Sequence, residues 1–310
     1  MRVAVVHHTR LPVKGYGGTE RVVVALVRGL AALGHEVALL APAGSQMPEA
    51  KVVPVPPERF KDVSFDLTSL VPAGTELVHF FYPPRVPPQL PWLWTLEGTT
   101  PAGVTRPANT IYVSESHAGH HGSRSFVYNG LDPADHIFRA TKDQFDLFLG
   151  RLHSSKGWQL AIEGAKLAQR RLVVAGGWRP SLSRFVRFAG EVDGKEKAEL
   201  LAGARLLWMP AQWEEPFGLT LIEALFSGTP VLGTRRGSLP EVLSPAVAEF
   251  GESVEELVAC LPAMEQKDAE ACRARAVRYF SHTAMAAEYL RFYREFLATG
   301  VLPAGVRSAD

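Results

Sequence analysis

The sequence predicts an α/β protein with two doubly wound domains, and three observations support this. The chain has 310 residues, 46% hydrophobic and 21% charged, which is enough for two domains with separate cores. A β-branched run at 2–8, a helix-periodic stretch at 19–33 and an apolar run at 36–40 follow in the order strand, helix, strand. The same alternation restarts near residue 145. Because strands joined through helices lie parallel, each half is expected to contain a parallel sheet.

Further elements complete two Rossmann-like halves. The first half has predicted strands at 77–81, 92–96 and 110–114, within and after a proline-rich segment at 42–107. The second half is predicted as strands at 145–149, 171–175, 185–189, 205–209 and 230–233, with helices near 157–168, 195–203 and 218–227. We therefore predict a first domain at 1–139, a second at 140–281, and a C-terminal helix, about 282–310, that packs back on the first.

Composition and hydropathy argue against binding to nucleic acid and against an integral membrane segment. The formal net charge is +1 and no long Lys/Arg run occurs, so the sequence does not predict binding to nucleic acid. No apolar stretch is long enough to be an integral membrane segment, and the run at 3–6 lacks the features of a signal peptide. The prediction is a cytoplasmic protein, with peripheral membrane contact left open.

The first candidate site is the glycine-containing loop before the first helix. Gly17 and Gly18 lead into that helix, whose N-terminal amides are suited to bind an anion. The dinucleotide fingerprint requires a glycine where Glu20 stands, so NAD binding is not expected. An ordinary flexible turn is the alternative.

The second candidate site is the turn after the predicted strand 145–149. Arg151 and Lys156 lie between Gly150 and Gly157, so both cations can reach one diphosphate. They would neutralise the charge that develops on a departing nucleoside diphosphate, as a metal ion does in other transferases. A solvated basic turn explains this segment equally well.

The third candidate site surrounds the start of the predicted helix 218–227. Glu215 precedes the helix and is suited to hydrogen-bond sugar hydroxyls, and Glu223, one turn inside, is suited to hold vicinal ribose hydroxyls. The amides of Gly218 to Thr220 point at phosphate. The alternative is a capped helix with two solvated glutamates, which the apolar neighbours of Glu223 make less attractive.

Taken in order, these segments resemble the retaining glycosyltransferases of family 4. The matching segments are Gly17 to Glu20, Val113 to Ser116, Asn129 to Asp132, Gly150 to Leu152 with Lys156 and Gly157, Glu215 to Glu223, and Gly237 to Glu241. The resemblance implies the GT-B fold, with two Rossmann-like domains facing across a cleft. It also implies an enzyme that needs no bound metal, and the sequence has no Asp-x-Asp pair of the kind that holds manganese in other transferases.

The resemblance implies a role for each candidate residue. Arg151 and Lys156 would hold the donor diphosphate, Glu215 the donor sugar and Glu223 the ribose. The remaining donor-binding residues, which act through the backbone or by close approach, are Gly17, Gly18, Phe217, Gly218, Leu219 and Thr220. One position departs from the family: Glu97 stands where a histidine usually contacts the donor sugar. Altered donor choice, altered chemistry and lost activity are all compatible with this change.

The histidines are weaker candidates for site residues than the groups described above. His79 is predicted to be a structural residue, and Ser116 or His117 is suited to contact an acceptor. His117, His120 and His121 do not form a convincing metal site, because no carboxylate or cysteine completes the group.

The predicted function is retaining transfer of a sugar from a nucleoside-diphosphate sugar to an acceptor hydroxyl, without a cofactor. UDP-glucose is favoured because the segment 16–22 is similar to that of glucosyltransferases, and GDP- or ADP-sugars remain possible. The acceptor is left open among small molecules, glycans and lipid-linked sugars. Two alternatives are a non-catalytic sugar-nucleotide-binding protein and an epimerase or phosphorylase on the same architecture.

Overall fold

The computed structural model describes residues 1–13, 15, 17–100, 104 and 106–308. Tyr16, at the start of the segment that favoured UDP-glucose, lies outside the described residues, as do residues 309 and 310. The chain forms two compact units. Unit 1 comprises Met1–Asp132 and Ser281–Val306, and unit 2 comprises Pro133–Phe280 with the residues from Arg307 onward.

Unit 1 contains a parallel sheet of six strands in the order β3-β2-β1-β4-β5-β6. The strands are β1 (Arg2–Val6), β2 (Glu36–Pro42), β3 (Lys51–Val55), β4 (Leu77–Phe80), β5 (Trp92–Leu96) and β6 (Thr110–Tyr112). Its helices are α1 (Gly18–Ala32), α2 (Glu115–His120) and the last helix of the chain, α10 (His282–Thr299). Strand β1 is buried except at its first residue, because a parallel sheet is covered on both faces.

Unit 2 repeats this arrangement with a second parallel sheet of six strands, in the order β12-β11-β10-β7-β8-β9. The strands are β7 (Asp146–Leu149), β8 (Leu172–Ala175), β9 (Val186–Gly190), β10 (Leu207–Met209), β11 (Val231–Gly233) and β12 (Ala248–Phe250). The helices are α3 (Trp158–Leu167), α4 (Gly194–Gly203), α5 (Leu219–Phe226), α6 (Leu239–Val242), α7 (Val254–Ala259), α8 (Leu261–Met264) and α9 (Ala269–Phe280). Counted from its own first strand, each sheet has the same order.

This strand order predicts where a ligand binds. In each sheet the order reverses beside the first strand, between β1 and β4 in unit 1 and between β7 and β10 in unit 2. Loops leaving the carboxyl ends of strands on either side of such a point diverge and leave a crevice. The two predicted Rossmann-like folds are confirmed, and the candidate loops after β7 and β10 flank this point of unit 2.

The division between the units falls earlier than the predicted boundary at 139. Residues just after Asp132 bind unit 2: the His136 ring stacks on Phe226, and the amide of Arg139 donates to the Ser227 carbonyl at 3.4 Å. The predicted C-terminal segment, 282–310, is shared between the two units. Its part up to Val306 belongs to unit 1, whereas Ser308 lies buried in unit 2, where its hydroxyl donates to the Glu241 carbonyl at 2.7 Å.

Helix α10 packs on unit 1 through a glycine and two tyrosines. A Cβ on Gly29 of α1 would lie 2.2 Å from the His282 carbonyl oxygen, so only glycine permits this close approach. The Tyr293 hydroxyl lies 2.7 Å from His79 Nδ1, while His79 Nε2 lies 2.8 Å from the Thr95 hydroxyl, which also contacts Tyr289 at 2.8 Å. Burial lowers the pKa of His79 to about 3, so it remains a neutral structural residue.

Several elements of the fold lack a clear signal in the sequence. Strand β3 contains Pro54, which removes a backbone donor, but β3 is an edge strand and its free side tolerates the loss. Strand β12 and helices α6 to α9 also went unpredicted, since each of the first three helices is short and lacks a full amphipathic period. Among the described residues, no helix is long and apolar enough to cross a membrane.

Candidate functional site

The loop after β7 is held in a fixed shape by Gly157. This residue has φ 72°, in the left-handed region, and precedes α3 directly. A Cβ at this position would lie 1.7 Å from the Pro210 carbonyl oxygen, so the loop after β7 packs against the loop after β10. Arg151 is exposed at the start of the loop, and Lys156 is half-buried at its end.

Lys156 points at Glu215, 59 residues further along the chain. Its ammonium lies 2.5 Å from Glu215 Oε2, and the side chains are only 16% and 9% exposed. The indole of Trp213 donates to the same oxygen at 2.9 Å, and the ammonium lies 4.7 Å from the centre of the Trp213 ring. Low exposure strengthens these charge-assisted contacts. The result is a fixed cation beside a fixed carboxylate.

The start of α5 is shaped by contacts with the loop that precedes α6. The Ser238 amide donates to the Glu215 carbonyl at 2.9 Å, and the Ser238 hydroxyl donates to the Phe217 carbonyl at 2.7 Å. Gly218, with φ 78°, is the N-cap of α5 and has no side chain to accept from the first-turn amides. Leu219 and Thr220 are the first two helical residues. Their amides are oriented for an anion.

Glu223 lies one turn inside α5 and is paired with a residue that the sequence did not single out. It is 3% exposed, and its Oε1 lies 2.8 Å from the ammonium of Lys197 in α4. A carboxylate this deeply buried requires a compensating charge. Lys197 supplies that charge from a helix outside the predicted site.

The backbone of the glycine loop in unit 1 packs closely against neighbouring side chains at Gly17. Gly17 is the N-cap of α1 and has extended backbone, with φ 175°. A Cβ there would lie 2.7 Å from a methyl group of Val13 and 2.9 Å from Glu20 Oε2. Gly18 follows as the first residue of α1. The position therefore favours glycine for steric reasons rather than for a left-handed conformation.

Glu97 lies directly after β5 and is held by Asn129. The Asn129 amide nitrogen donates to Glu97 Oε2 at 2.7 Å. Within the described residues, Glu97 Oε1 and Asn129 Oδ1 are buried without hydrogen-bond partners. Burial raises the pKa of Glu97 to about 7, helped by the charge of Glu20 and opposed by the Asn129 hydrogen bond. Near neutral pH this carboxyl therefore carries a proton in a large fraction of molecules.

The pKa of Glu20 is shifted in the opposite direction, downward. It accepts a hydrogen bond from the Thr9 hydroxyl at 3.2 Å, and its carboxylate lies 3.8 Å from the buried His7 ring. The interaction with His7 is the main reason that the pKa of Glu20 falls to about 2. Two carboxyl groups of one unit thus differ in charge because their neighbours differ.

The histidines after β6 form an aromatic cluster. The rings of His117 and His121 lie 5.2 Å apart, and both contact Tyr112. Burial, followed by the charge of His121, lowers the pKa of His117 to about 4. Among the residues described, no three His, Cys, Asp or Glu side chains are placed to hold a metal ion.

The structure brings most of the predicted unit 2 residues together. Lys156, Glu215 and the Phe217 to Thr220 segment surround the start of α5, with Glu223 one turn further on. The sequence did not single out Trp213 or Lys197, and it indicated Asn129 only as part of a matching segment, without its contact to Glu97. Trp213 directly precedes the Glu214-Glu215 pair and had a positional signal, whereas nothing local indicates Lys197.

Two family descriptions match the chain. "Glycosyl transferases group 1" matches residues 135–273, and "Glycosyltransferase Family 4" matches residues 16–97. The two ranges together cover well over half of the 310 residues. The chain belongs to glycosyltransferase family 4. The family 4 assignment agrees with the two Rossmann-like folds, since this family has the GT-B fold.

Curated relatives match this family 4 chain over part of its length. The MMP alpha-(1->4)-mannosyltransferase of Mycolicibacterium hassiacum is 33% identical over 127 residues, which cover 38% of this chain and 31% of the relative. The glycogen synthase of Mycobacterium tuberculosis is 29% identical over 196 residues, or 54% and 47% of the two chains. The chain thus spans about a third to a half of the length of these relatives.

Solved structures match over nearly the whole chain. AviGT4, a glycosyltransferase involved in avilamycin A biosynthesis, is 29% identical with a TM-score of 0.75, and the match covers 96% of this chain and 98% of that one. HepE from Anabaena, solved in complex with UDP-glucose, is 14% identical with a TM-score of 0.65 over 96% and 100% of the two chains. The second likeness concerns the fold alone.

Proposed function

We propose that this family 4 protein is a retaining, metal-independent glycosyltransferase that moves a sugar from a nucleoside-diphosphate sugar to an acceptor hydroxyl. The observation that carries the proposal is the contact of Lys156 with Glu215 beside the first turn of α5. It places a cation, a carboxylate and helix amides at the switch point of a doubly wound sheet. A donor needs these three groups for its diphosphate and its sugar.

The diphosphate is assigned to Lys156, Arg151 and the amides of α5. Negative charge grows on the leaving diphosphate as the glycosidic bond breaks, and fixed cations in a poorly hydrated site stabilise that charge. Lys156 is already oriented by Glu215 and Trp213, so little reorganisation is needed during the reaction. This is the work that a divalent metal performs in metal-dependent transferases.

The sugar is assigned to Glu215 and the ribose to Glu223. Both structural contacts of the Glu215 carboxylate fall on Oε2, and we assign Oε1 to hydroxyls of the donor sugar. Lys197 contacts the Glu223 carboxylate, and we assign that carboxylate to the ribose hydroxyls.

The donor sugar, the acceptor and the location remain predictions. UDP-glucose is favoured by the sequence, whereas the names of the relatives include mannosyltransferases as well as a glycogen synthase. The predicted acceptor is a small molecule, a glycan or a lipid-linked sugar, and the cytoplasmic location, with peripheral membrane contact left open, stays a prediction.

A second candidate function is non-catalytic binding of a sugar nucleotide. The observation that favours it is Glu97, a half-buried carboxyl held by Asn129 where the family usually has a histidine. Glu97 in its neutral form accepts or donates a hydrogen bond to a sugar hydroxyl, but in its charged form it repels the leaving diphosphate. Binding without turnover would support this second function.

A measurement of turnover distinguishes the transferase from the non-catalytic binding protein. We propose to incubate the protein in EDTA with UDP-, GDP- and ADP-sugars, with and without an acceptor panel, and to measure release of the nucleoside diphosphate. Lys156→Ala is expected to lower the rate about a hundredfold, as the loss of one charge-stabilising group does elsewhere, whereas Lys166→Ala, at an exposed position on α3, leaves the rate unchanged. Proton NMR of the first product formed is expected to show the anomeric configuration of the donor. Inverted configuration, or activity that EDTA abolishes, contradicts the proposal.

A further inference from the structure

The connection between β8 and β9 has an unusual form for two neighbouring parallel strands. Such strands are normally joined by a helix, but residues 176–185 form no helix. The amides of Gly176 and Gly177 donate to the Gly190 carbonyl at 2.7 and 3.2 Å, which closes the base of the connection. We term residues 178–187 the edge loop; they comprise most of this connection and the first two residues of β9. Because β9 is the edge strand of its sheet, the edge loop lies at the side of unit 2.

The edge loop exposes large apolar side chains. Leu182 is 107% exposed, the highest value for a large apolar residue in the part of the chain that the structure describes, and Trp178 is 68% exposed. A leucine and a tryptophan exposed four residues apart in one loop are costly in water unless another surface covers them.

The loop is held in an ordered turn. The Ser183 amide donates to the Ser181 hydroxyl, and the Phe185 amide donates to the Ser183 hydroxyl, both at 3.2 Å. Phe185 in turn packs partly against the core of unit 2. The exposure of Trp178 and Leu182 therefore belongs to an anchored loop with a defined shape.

The residues around the edge loop are predominantly basic. Residues 164–190 contain six Lys or Arg residues and no Asp or Glu, and Glu163 and Glu191 flank this stretch. Arg170 is neutralised by its contacts with Asp146 and Glu265. Arg179, Arg184 and Arg187 are exposed within the edge loop, which itself contains no carboxylate.

We propose that the edge loop docks on a membrane surface that contains anionic lipids. Tryptophan is favoured at the interface between headgroups and acyl chains, and a leucine side chain gains free energy by entering the acyl region. The three exposed arginines complement the negative headgroups, each contributing to attraction within a Debye length. The fully exposed leucine distinguishes this surface from a nucleic-acid site, where basic side chains contact phosphates and aromatic rings stack on bases.

Docking would bring one face of unit 2 to the bilayer. A Cβ on Gly176 would lie 2.3 Å from the Gly150 carbonyl oxygen, and one on Gly177 would lie 2.7 Å from Leu152. The edge loop therefore begins beside the loop that carries Arg151. This inference stands independently of the proposed catalysis, because it concerns lipid binding alone.

Vesicle co-sedimentation tests the proposal with the full chain. Vesicles of phosphatidylcholine alone are compared with vesicles that also contain phosphatidylglycerol, at low and high ionic strength. The protein is expected to bind only the anionic vesicles and to be released by salt. Arg179→Glu with Arg184→Glu is expected to weaken binding by about fivefold or more for each arginine lost, and Trp178→Ser with Leu182→Ser is expected to abolish it.

Matched controls make the result specific to the edge loop. Leu167→Ser replaces another exposed leucine, on α3, and Arg278→Glu reverses an exposed charge on α9; both are expected to bind as the unchanged protein does. Thermal melts check that every variant folds, since all four loop substitutions are at exposed positions. A polarity-sensitive dye on Ser181→Cys, in a Cys260→Ala background with Cys272 buried, is expected to report a less polar environment on anionic vesicles.

Three results of the vesicle experiments would overturn the proposal. These are absence of binding to anionic vesicles, equal loss of binding in the control and loop variants, and a dye that remains in water while the protein sediments. Binding of the loop to a single-stranded RNA probe in preference to vesicles would also overturn it, and would assign the arginines to nucleic acid instead.

Discussion

The ammonium of Lys197 lies 2.8 Å from the carboxylate of Glu223, and this contact joins α4 to α5. Glu223 is almost fully buried, whereas the Lys197 side chain is 23% exposed. The lysine thus reaches inward from a partly solvated position and places a positive charge beside the buried carboxylate. If Glu223 holds the ribose, Lys197 positions it.

Lys197→Ala should therefore weaken nucleotide binding without touching the nucleotide. We expect the dissociation constant for the nucleoside diphosphate to rise about tenfold, which corresponds to about 1.4 kcal/mol, and the free energy of unfolding to fall by about 1–3 kcal/mol because a buried carboxylate loses its partner. Calorimetry and chemical denaturation measure these two quantities. Lys197→Arg should restore much of the affinity, and Lys195→Ala, exposed on the same helix, should have no effect. Equal affinities for Lys197→Ala and Lys195→Ala would exclude the positioning role.

Trp213→Phe tests whether the indole orients Glu215. The substitution keeps an aromatic ring near Lys156 but removes the hydrogen bond to Glu215 Oε2. A bond to a charged acceptor is worth about 1.5–3 kcal/mol, so we expect kcat to fall at least roughly tenfold. Steady-state kinetics would show this as a change in kcat with KM for the donor nearly constant. A rate equal to that of the unchanged enzyme would show that Lys156 alone orients Glu215.

Glu97 should make stability depend on pH. Below the usual carboxyl pKa of 4.5, Glu97 is protonated in both the folded and the unfolded chain. Between pH 4.5 and about 7 the unfolded chain releases this proton while the folded protein retains it, so the free energy of unfolding falls as pH rises. Above pH 7 the loss is complete. Glu97→Gln removes the ionisation and should be increasingly more stable than the unchanged protein across that window.

Thermal melts from below pH 4.5 to above pH 7 measure this difference. The matched control is Glu58→Gln, at an exposed position of the same unit, which should track the unchanged protein at every pH. A constant difference in Tm between Glu97→Gln and the unchanged protein would mean that Glu97 keeps an ordinary pKa.

Gly157→Ala should disrupt the contact between the loops after β7 and β10. The new methyl group would meet the Pro210 carbonyl at 1.7 Å and would also force alanine into a left-handed conformation. We expect a loss of about 3 kcal/mol or more in the free energy of unfolding. Gly150→Ala in the same loop is the control, because its nearest contact would be an ordinary 3.7 Å to the Phe148 ring. Equal denaturation midpoints for the two variants would contradict the packing argument.

The sequence was most informative where local pattern decides structure. The start of α5 was predicted at Gly218, since a glycine between a strand end and an apolar run is a strong helix boundary. The two sheets followed from hydrophobic runs alternating with helical periods. Strand β3 was missed because its short run contains Pro54, and only the sheet order reveals that it is an edge strand.

The contacts of the site were harder to predict than its residues. Lys156 and Glu215 were both named, but their pairing joins residues 59 positions apart, and no local pattern encodes it. Lys197 lies 26 residues before Glu223 on a helix with an unremarkable sequence. Glu97 was identified as a departure from the family, yet its partner Asn129 became evident only from the packing of unit 1.

Isothermal titration with UDP, GDP, ADP and their sugar derivatives in the presence of EDTA tests the central claim most directly. The account predicts that one nucleotide series binds, that EDTA does not change its affinity, and that Glu223→Gln abolishes binding while Glu163→Gln, an exposed position on α3, leaves it intact. If no nucleotide binds, or if Glu223→Gln binds as tightly as Glu163→Gln, the donor site around α5 is wrong.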